Sequence, residues 1–209
     1  MSRGVDDVSA LWLKKGGSET RPASIVRAEM SGANRLRLWA VLELDDPRWG
    51  ELRHAYGSAS DTPGLLRQLK SDSVSTGRNE PWFTLWSSLA HQGEIYPATF
   101  AAVPHIIRLL ANSPMTSDAS FLQFPAWVEI CRQRDQVPVL DFLMAEYFDA
   151  LRQLPSLIAT AASRDWGSEY LVCALAALAA VKGYGIVAEA ALELNAENAE
   201  EFLSWLREQ

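Results

Sequence analysis

Ser87 and His91 stand four positions apart, so a helix through this stretch places both side chains on one face, one turn apart. A serine hydroxyl next to an imidazole is the pair that hydrolases use as nucleophile and general base. The chain has no strained nucleophile elbow, no glycine-rich oxyanion hole and no phosphate-binding loop spacing. A hydrolase built on residues 81–112 therefore ranks last among the functions considered, and we predict no catalytic residue and no cofactor.

The three histidines, His54, His91 and His105, offer too few ligands for a zinc site, because neither cysteine stands at ligand spacing from them. We predict no metal site. His91 is expected instead to hydrogen-bond carbonyl groups left open at the end of its helix. Cys131 and Cys173 are far apart, which predicts two reduced core residues and no disulfide framework.

Acidic residues are concentrated towards the C-terminus. Residues 1–134 carry 15 Lys+Arg and 14 Asp+Glu, a net charge of +1, whereas residues 135–209 carry 4 and 12, a net charge of −8. This balance disfavours nonspecific nucleic-acid binding and favours a basic protein partner. The candidate partner-binding carboxylates are Asp141, Glu146, Asp149, Glu197, Glu200 and Glu201. The alternative is that these carboxylates only solvate helical surfaces.

Eight tryptophans are a further source of binding energy, because exposed aromatic side chains often anchor interfaces. Four of them lie in apolar patterns and are expected in the core: Trp39, Trp82, Trp86 and Trp127. The other four have more polar neighbours in sequence, and the core is still the expected location for most of them: Trp12, Trp49, Trp166 and Trp205.

The most informative stretch runs from residue 80 to residue 112 and predicts two helices joined by a tight corner. Pro81 suits a helix start, and Gly93 suits a left-handed residue at a helix end. Pro104 lies within the second apolar pattern and predicts a kink there. The corner residues are His91, Gln92, Gly93, Tyr96, Pro104 and His105.

The string from Leu89 to His105, with its HQG-x-x-Y-x-A-T and A-A-V-P-H segments, resembles a motif of small bacterial helical proteins that are similar to HEAT-type repeats. The resemblance covers roughly residues 46 to 112. It implies an array of α-helical hairpins. Some proteins of this general kind accompany secreted toxins as immunity partners, so the resemblance also makes that role an expectation.

The whole chain is predicted to be mainly α-helical, as a HEAT-like α-hairpin array (α-solenoid) over residues 45–209. The helices begin with one from Pro47 to about Tyr56, and a long one starts at Pro138. Residues 1–44 form a separate N-terminal segment, for which two or three short β-strands compete with a disordered leader and a helix. No stretch has the length of a membrane span, and the N-terminus lacks a signal peptide's apolar core, so a cytoplasmic protein is expected.

These patterns predict a non-enzymatic protein-binding protein, most concretely an immunity protein that occludes a toxin domain with a basic surface. The alternative is a general helical scaffold or regulatory adaptor without a toxin partner. Neither function involves nucleic acid or a membrane.

Overall fold

A computed structural model of the chain describes residues 41–69, 79–194 and 196–208, which belong to one compact unit. The unit is mainly α-helical, as the sequence predicts. Its helices are α1 (Thr62–Gln68), α2 (Trp82–Leu89), α3 (Pro97–Asn112), α4 (Ser120–Asp135), α5 (Asp141–Leu151), α6 (Leu154–Thr160), α7 (Ser168–Val181), α8 (Gly185–Glu193) and α9 (Ala196–Arg207). The strands predicted for residues 1–44 lie outside the described residues up to residue 40, and residues 41–44, which are described, form no strand.

The helix predicted from Pro47 to about Tyr56 does not form. The chain makes only a 3-10 turn at Pro47–Gly50 and then a short antiparallel hairpin of β1 (Arg53–His54) and β2 (Gly57–Ser58). Gly57 has φ of +129°, a conformation open to glycine and not to a helix. The Ala55 amide donates to the carbonyl of Ser88 in α2, so a contact distant in sequence replaces the local helical bond.

The corner between α2 and α3 has the predicted arrangement of helix, turn and helix, with a 3-10 turn at His91–Gly93. Gly93 is left-handed at φ +85°, and the preceding Gln92 is left-handed as well at +51°. The Oγ1 atom of Thr99 donates to the carbonyl of Leu89 and accepts from the Tyr96 amide at 3.0 Å. One side chain therefore joins the end of α2 to the start of α3.

The core is built around α3, which packs against α1, α4, α5 and α6. Trp82 of α2 is fully buried and meets Phe121 and Phe124 of α4 with ring centroids 5.2 and 5.9 Å apart. Phe100 of α3 stacks edge-on against Tyr147 of α5 at 5.1 Å. Pro104 is buried inside α3, and the helix continues on both sides of it.

The C-terminal part of the unit places α7 against α4, α6 and α8. Gly183 ends α7 with φ of +86°, and the amides of Gly183 and Tyr184 donate to the carbonyls of Ala180 and Ala179, as in a Schellman cap. The predicted helix from Pro138 begins three residues later, at Asp141. Cys131 and Cys173 are free and buried, as predicted. Among the described helices, none is both long and apolar enough to cross a membrane.

Candidate protein-binding surface

Helix α9 presents large apolar side chains to solvent. Phe202, Leu203, Trp205 and Leu206 are 52%, 48%, 55% and 47% exposed, and the rings of Phe202 and Trp205 stack with centroids 6.1 Å apart. None of the α9 side chains in the described part of the chain is buried. A helix whose apolar side chains remain half exposed has surface to contribute to a contact with another molecule.

The polar side chains of α9 lie around this apolar face. At 3.6 residues per turn, Phe202, Leu203, Trp205 and Leu206 occupy a single arc of the helix. Arg207 and Glu200 follow the arc on the side of Leu203, and Glu201 follows it on the side of Trp205; all three are exposed. Two of the predicted partner-binding carboxylates therefore flank an apolar strip. The side chain of Glu197, a third, lies outside the described residues.

The other three predicted carboxylates lie on α5 and have different surroundings. Asp141 is exposed in the first turn of the helix. Asp149 forms an ion pair with Arg152, one turn further along α5. Glu146 is half-buried, and its Oε2 atom accepts from the amide of Leu42 at 2.8 Å. The predicted carboxylates therefore lie on two different helices, α5 and α9, and Glu146 is engaged in a structural bond.

The segment around Leu42 is held from both sides. His105 of α3 is buried, and its Nε2 atom lies 2.9 Å from the carbonyl oxygen of Leu42, while Glu146 accepts from the amide of the same residue. Burial lowers the pKa of His105, so the neutral imidazole that donates from Nε2 is the favoured form. Burial raises the pKa of Glu146, and the Leu42 bond opposes that shift. His105 therefore anchors residue 42 against the helices.

The predicted corner residue His91 has a different partner from the one expected. Its Nδ1 atom lies 3.3 Å from the hydroxyl of Tyr56, which also contacts the Ser87 hydroxyl at 2.7 Å. The prediction of a bond to helix-end carbonyls is wrong, because the β1–β2 hairpin brings Tyr56 over the end of α2. In the described part of the chain, Ser87 and His91 make no direct hydrogen bond, so the nucleophile–base arrangement is not formed.

Tyr96 completes the polar surface of the corner. Its hydroxyl donates to the Oε2 atom of Glu94 at 2.9 Å. Partial burial and this bond raise the pKa of Tyr96 to about 12, so the phenol stays protonated at neutral pH. Within residues 41–69, 79–194 and 196–208, no group of three or more histidine, cysteine or acidic side chains is placed to hold a metal ion.

Comparisons with protein-family models, with curated proteins and with solved structures gave no match for this chain.

The sequence predicted the α9 carboxylates as partner-binding residues but did not indicate that the apolar residues beside them are exposed. The apolar positions 199, 202, 203 and 206 follow helical spacing, which is equally the signature of a helix that buries this face in a core. The polar sequence neighbours of Trp205 were the one available signal for exposure, and Trp205 is indeed 55% exposed. Trp49, assigned to the same group, is buried and donates from Nε1 to the carbonyl of Glu43 at 3.1 Å.

Proposed function

We propose that this chain is a non-enzymatic protein-binding protein that contacts its partner through α9. The observation that carries the proposal is the exposed apolar strip of Phe202, Leu203, Trp205 and Leu206. Aromatic and leucine side chains at helical spacing are what an amphipathic helix inserts into the groove of a partner. Trp205 and Phe202 are the side chains expected to supply most of the binding energy, since large aromatic residues dominate hot spots.

The partner's chemistry follows from the carboxylates around the strip. Glu200 and Glu201 flank it on either side, and residues 135–209 carry a net charge of −8. A partner with an apolar groove and a basic rim matches both features, because complementary charge steers association and a like charge opposes it. Asp141 is exposed and free to contribute, whereas Glu146 and Asp149 are engaged with Leu42 and Arg152.

In its narrower form the proposal is a cytoplasmic immunity protein, built as a HEAT-like array of helical hairpins, that occludes a toxin domain with a basic surface. The resemblance of residues 46–112 to small bacterial helical proteins motivates this form. A general helical adaptor is the alternative, and it uses the same face of α9. The two differ in the partner: only the immunity protein requires that the partner be toxic by itself.

The test is affinity capture from the source organism with three versions of the full chain. The first is the wild type, the second carries Phe202→Ser with Leu206→Ser, and the third carries Phe83→Ser with Ile186→Ser as a matched control. Phe83 and Ile186 are 58% and 78% exposed and lie on α2 and α8. We expect one protein with a basic surface to be retained by the wild type and the control and lost with the α9 variant.

Retention of the same proteins by all three versions would contradict binding through α9. For the immunity form, the captured partner is then expressed in a bacterial host alone and together with this chain. We expect growth arrest in the first case and growth in the second. A partner that is harmless when expressed alone would leave the adaptor function and exclude the immunity function.

A further inference from the structure

A groove of about 820 Å³ lies between the end of α4, the side of α5 and the end of α7. It shares no residue with α9 or with the predicted carboxylates. Its apolar lining residues come from three elements and are Val137, Pro138, Phe148, Leu151 and Val181. Its volume falls within the range of roughly 300–1,000 Å³ that is common for sites of small molecules.

The floor of the groove is a bonded network around Glu129, which is only 4% exposed. Its Oε1 atom accepts from Arg132 and from Gln133, both at 2.7 Å. Its Oε2 atom accepts from Arg132 and from the Tyr147 hydroxyl, both at 2.8 Å. A carboxylate has about four acceptor positions, so all those of Glu129 are occupied. Glu129, the one acidic residue that the described part of the chain contributes to the groove, is therefore neutralised and cannot take a cation.

Gln133 fixes this floor to the neighbouring helices. Its Nε2 atom donates to the carbonyl of Ala180 in α7 at 2.7 Å, and its Oε1 atom accepts from the amide of Gly185 at the start of α8 at 2.9 Å. Gln133 thus joins α4 to α7 and α8, and the Tyr147 bond to Glu129 joins α4 to α5. A site with a prearranged shape loses less entropy when a ligand binds.

The positive charges of the groove are Arg132, Arg152 and Lys182. Arg132 uses Nε and Nη2 for Glu129 and stacks 5.2 Å above the Phe148 ring, while its Nη1 atom has no hydrogen-bond partner in the described part of the chain. The exposed Lys182 likewise has no ion pair or hydrogen bond from its side chain to the described residues. Arg152 has Asp149 as its partner, in an exposed pair that water screens.

This concentration of positive charge stands out against its surroundings. Residues 135–209 contain four basic residues, Arg152, Arg164, Lys182 and Arg207, against twelve acidic ones. Two of those four basic residues line the groove. The groove therefore combines apolar lining residues and a neutralised carboxylate with the Lys182 ammonium, which has no ion pair among the described residues, and with the unbonded Nη1 edge of Arg132.

We propose that this groove binds a small organic anion, with a phosphate monoester or carboxylate group on an apolar body. The anionic group lies between Lys182 and the free Nη1 edge of Arg132, with Arg152 at the rim. The apolar body lies against Phe148, Val137 and Leu151. A cationic ligand is disfavoured because Glu129, the only carboxylate among the described residues that line the groove, has no acceptor position left.

The experiment uses the full-length protein and phenyl phosphate as the probe, titrated by calorimetry or by ligand-observed NMR. Inorganic phosphate tests the anionic group alone, and benzylamine tests an apolar body with the opposite charge. We expect measurable binding of phenyl phosphate, binding of inorganic phosphate that is at least tenfold weaker, and no binding of benzylamine. Benzylamine binding as tight as that of phenyl phosphate would overturn the proposal, as would the absence of phenyl phosphate binding at millimolar concentration.

Single substitutions test whether phenyl phosphate binds in this groove. Lys182→Ala is expected to weaken phenyl phosphate binding about fivefold, the effect of one partly exposed ion pair, and a double variant with Arg152→Ala is expected to weaken it further. Arg207→Ala removes the same charge from an exposed position on α9 and is the matched control, with no expected change. Equal effects of Lys182→Ala and Arg207→Ala would mean that net charge governs binding and would overturn the assignment to the groove. Circular dichroism and thermal unfolding of all variants are expected to match the wild type.

Discussion

Helices α3 and α9 both carry apolar residues at helical spacing, and the two helices have opposite surroundings. In α3 most of the apolar side chains are buried, and its polar residues Thr99 and His105 are also buried, with hydrogen bonds to Leu89 and Leu42. In α9 the apolar side chains of Phe202 and Trp205 are about half exposed. The difference shows that apolar spacing predicts which face of a helix seeks a contact. Whether this chain itself provides the contact depends on its other helices.

The physical reason is the number of neighbours. Helix α3 packs against four other helices of the unit, which together cover it on nearly every side. Helix α9 follows α8 at the end of the described chain, and its apolar strip retains enough accessible area for a partner to bury. Burial of apolar area stabilises by roughly 25 cal/mol per Å², so a partner that covers the strip would gain binding free energy from it.

The largest expected contrast is between a tryptophan in each region. Trp82→Ala should lower the free energy of unfolding by about 3–5 kcal/mol, because it removes a fully buried ring that contacts Phe121 and Phe124. Trp205→Ala should change it by less than about 0.5 kcal/mol, as for a surface substitution. Denaturant unfolding measures both. A loss at Trp205 comparable to that at Trp82 would show that α9 is packed as a core helix.

A second contrast concerns two tyrosine hydroxyls. Tyr147→Phe should cost about 1.5–3 kcal/mol of stability, since the buried hydroxyl donates to the carboxylate of Glu129, which also pairs with Arg132. The control is Tyr184→Phe, whose ring is 63% exposed and whose hydroxyl has no bond within the described residues, and no change is expected. Equal midpoints for the wild type and Tyr147→Phe in urea unfolding would show that the Glu129 network does not stabilise the fold.

The third prediction addresses the corner that begins α3. Gly93→Ala should cost about 1 kcal/mol, because a Cβ atom disfavours the left-handed backbone at φ +85°. The added Cβ atom would lie 3.3 Å from Nη2 of Arg134, a side-chain end that can move away. Gly50→Ala is the control, since that site is open and needs no positive φ. An unchanged melting temperature for Gly93→Ala would mean that the corner adopts another conformation.

Features set by local backbone preferences could be predicted from the sequence, whereas features set by contacts between distant residues could not. The corner of α2 and α3 was predictable because proline and glycine act on their own backbone. The β1–β2 hairpin was not, because the Ala55 amide is satisfied by Ser88, thirty-three positions away. The sequence likewise predicts Glu146 to be a surface carboxylate, because it does not show that the Leu42 amide donates to this side chain.

The candidate protein-binding surface could be predicted only in part, because its composition is visible in the sequence and its exposure is not. The acidic composition of α9 is a property of the sequence, and it correctly singled out Glu200 and Glu201 as exposed residues. Exposure of Phe202 and Leu206 depends on the absence of a covering element, which no residue of α9 encodes. The groove at Glu129 unites residues of α4, α5 and α7, and their side chains become neighbours only after the helices have packed.

The smallest expected effect on stability comes from reversing the charges beside the apolar strip. Glu200→Lys with Glu201→Lys should change the free energy of unfolding by less than about 0.5 kcal/mol, because both side chains are exposed. The same variant should slow association with the captured partner, and the wild-type on-rate should fall as salt is added. Glu51→Lys with Asp165→Lys makes the same change in net charge outside α9. Equal on-rates for the two double variants would assign the effect to net charge alone.

Hydrogen exchange on the complex with the captured partner tests most directly whether α9 is the contact. We expect the amides of α9 to exchange at least tenfold more slowly in the complex than in the free protein, because a docked helix opens less often. The amides of α3 should exchange equally in both, since that helix is already enclosed by its own chain. Slower exchange elsewhere, with unchanged exchange throughout α9, would contradict binding of the partner through α9.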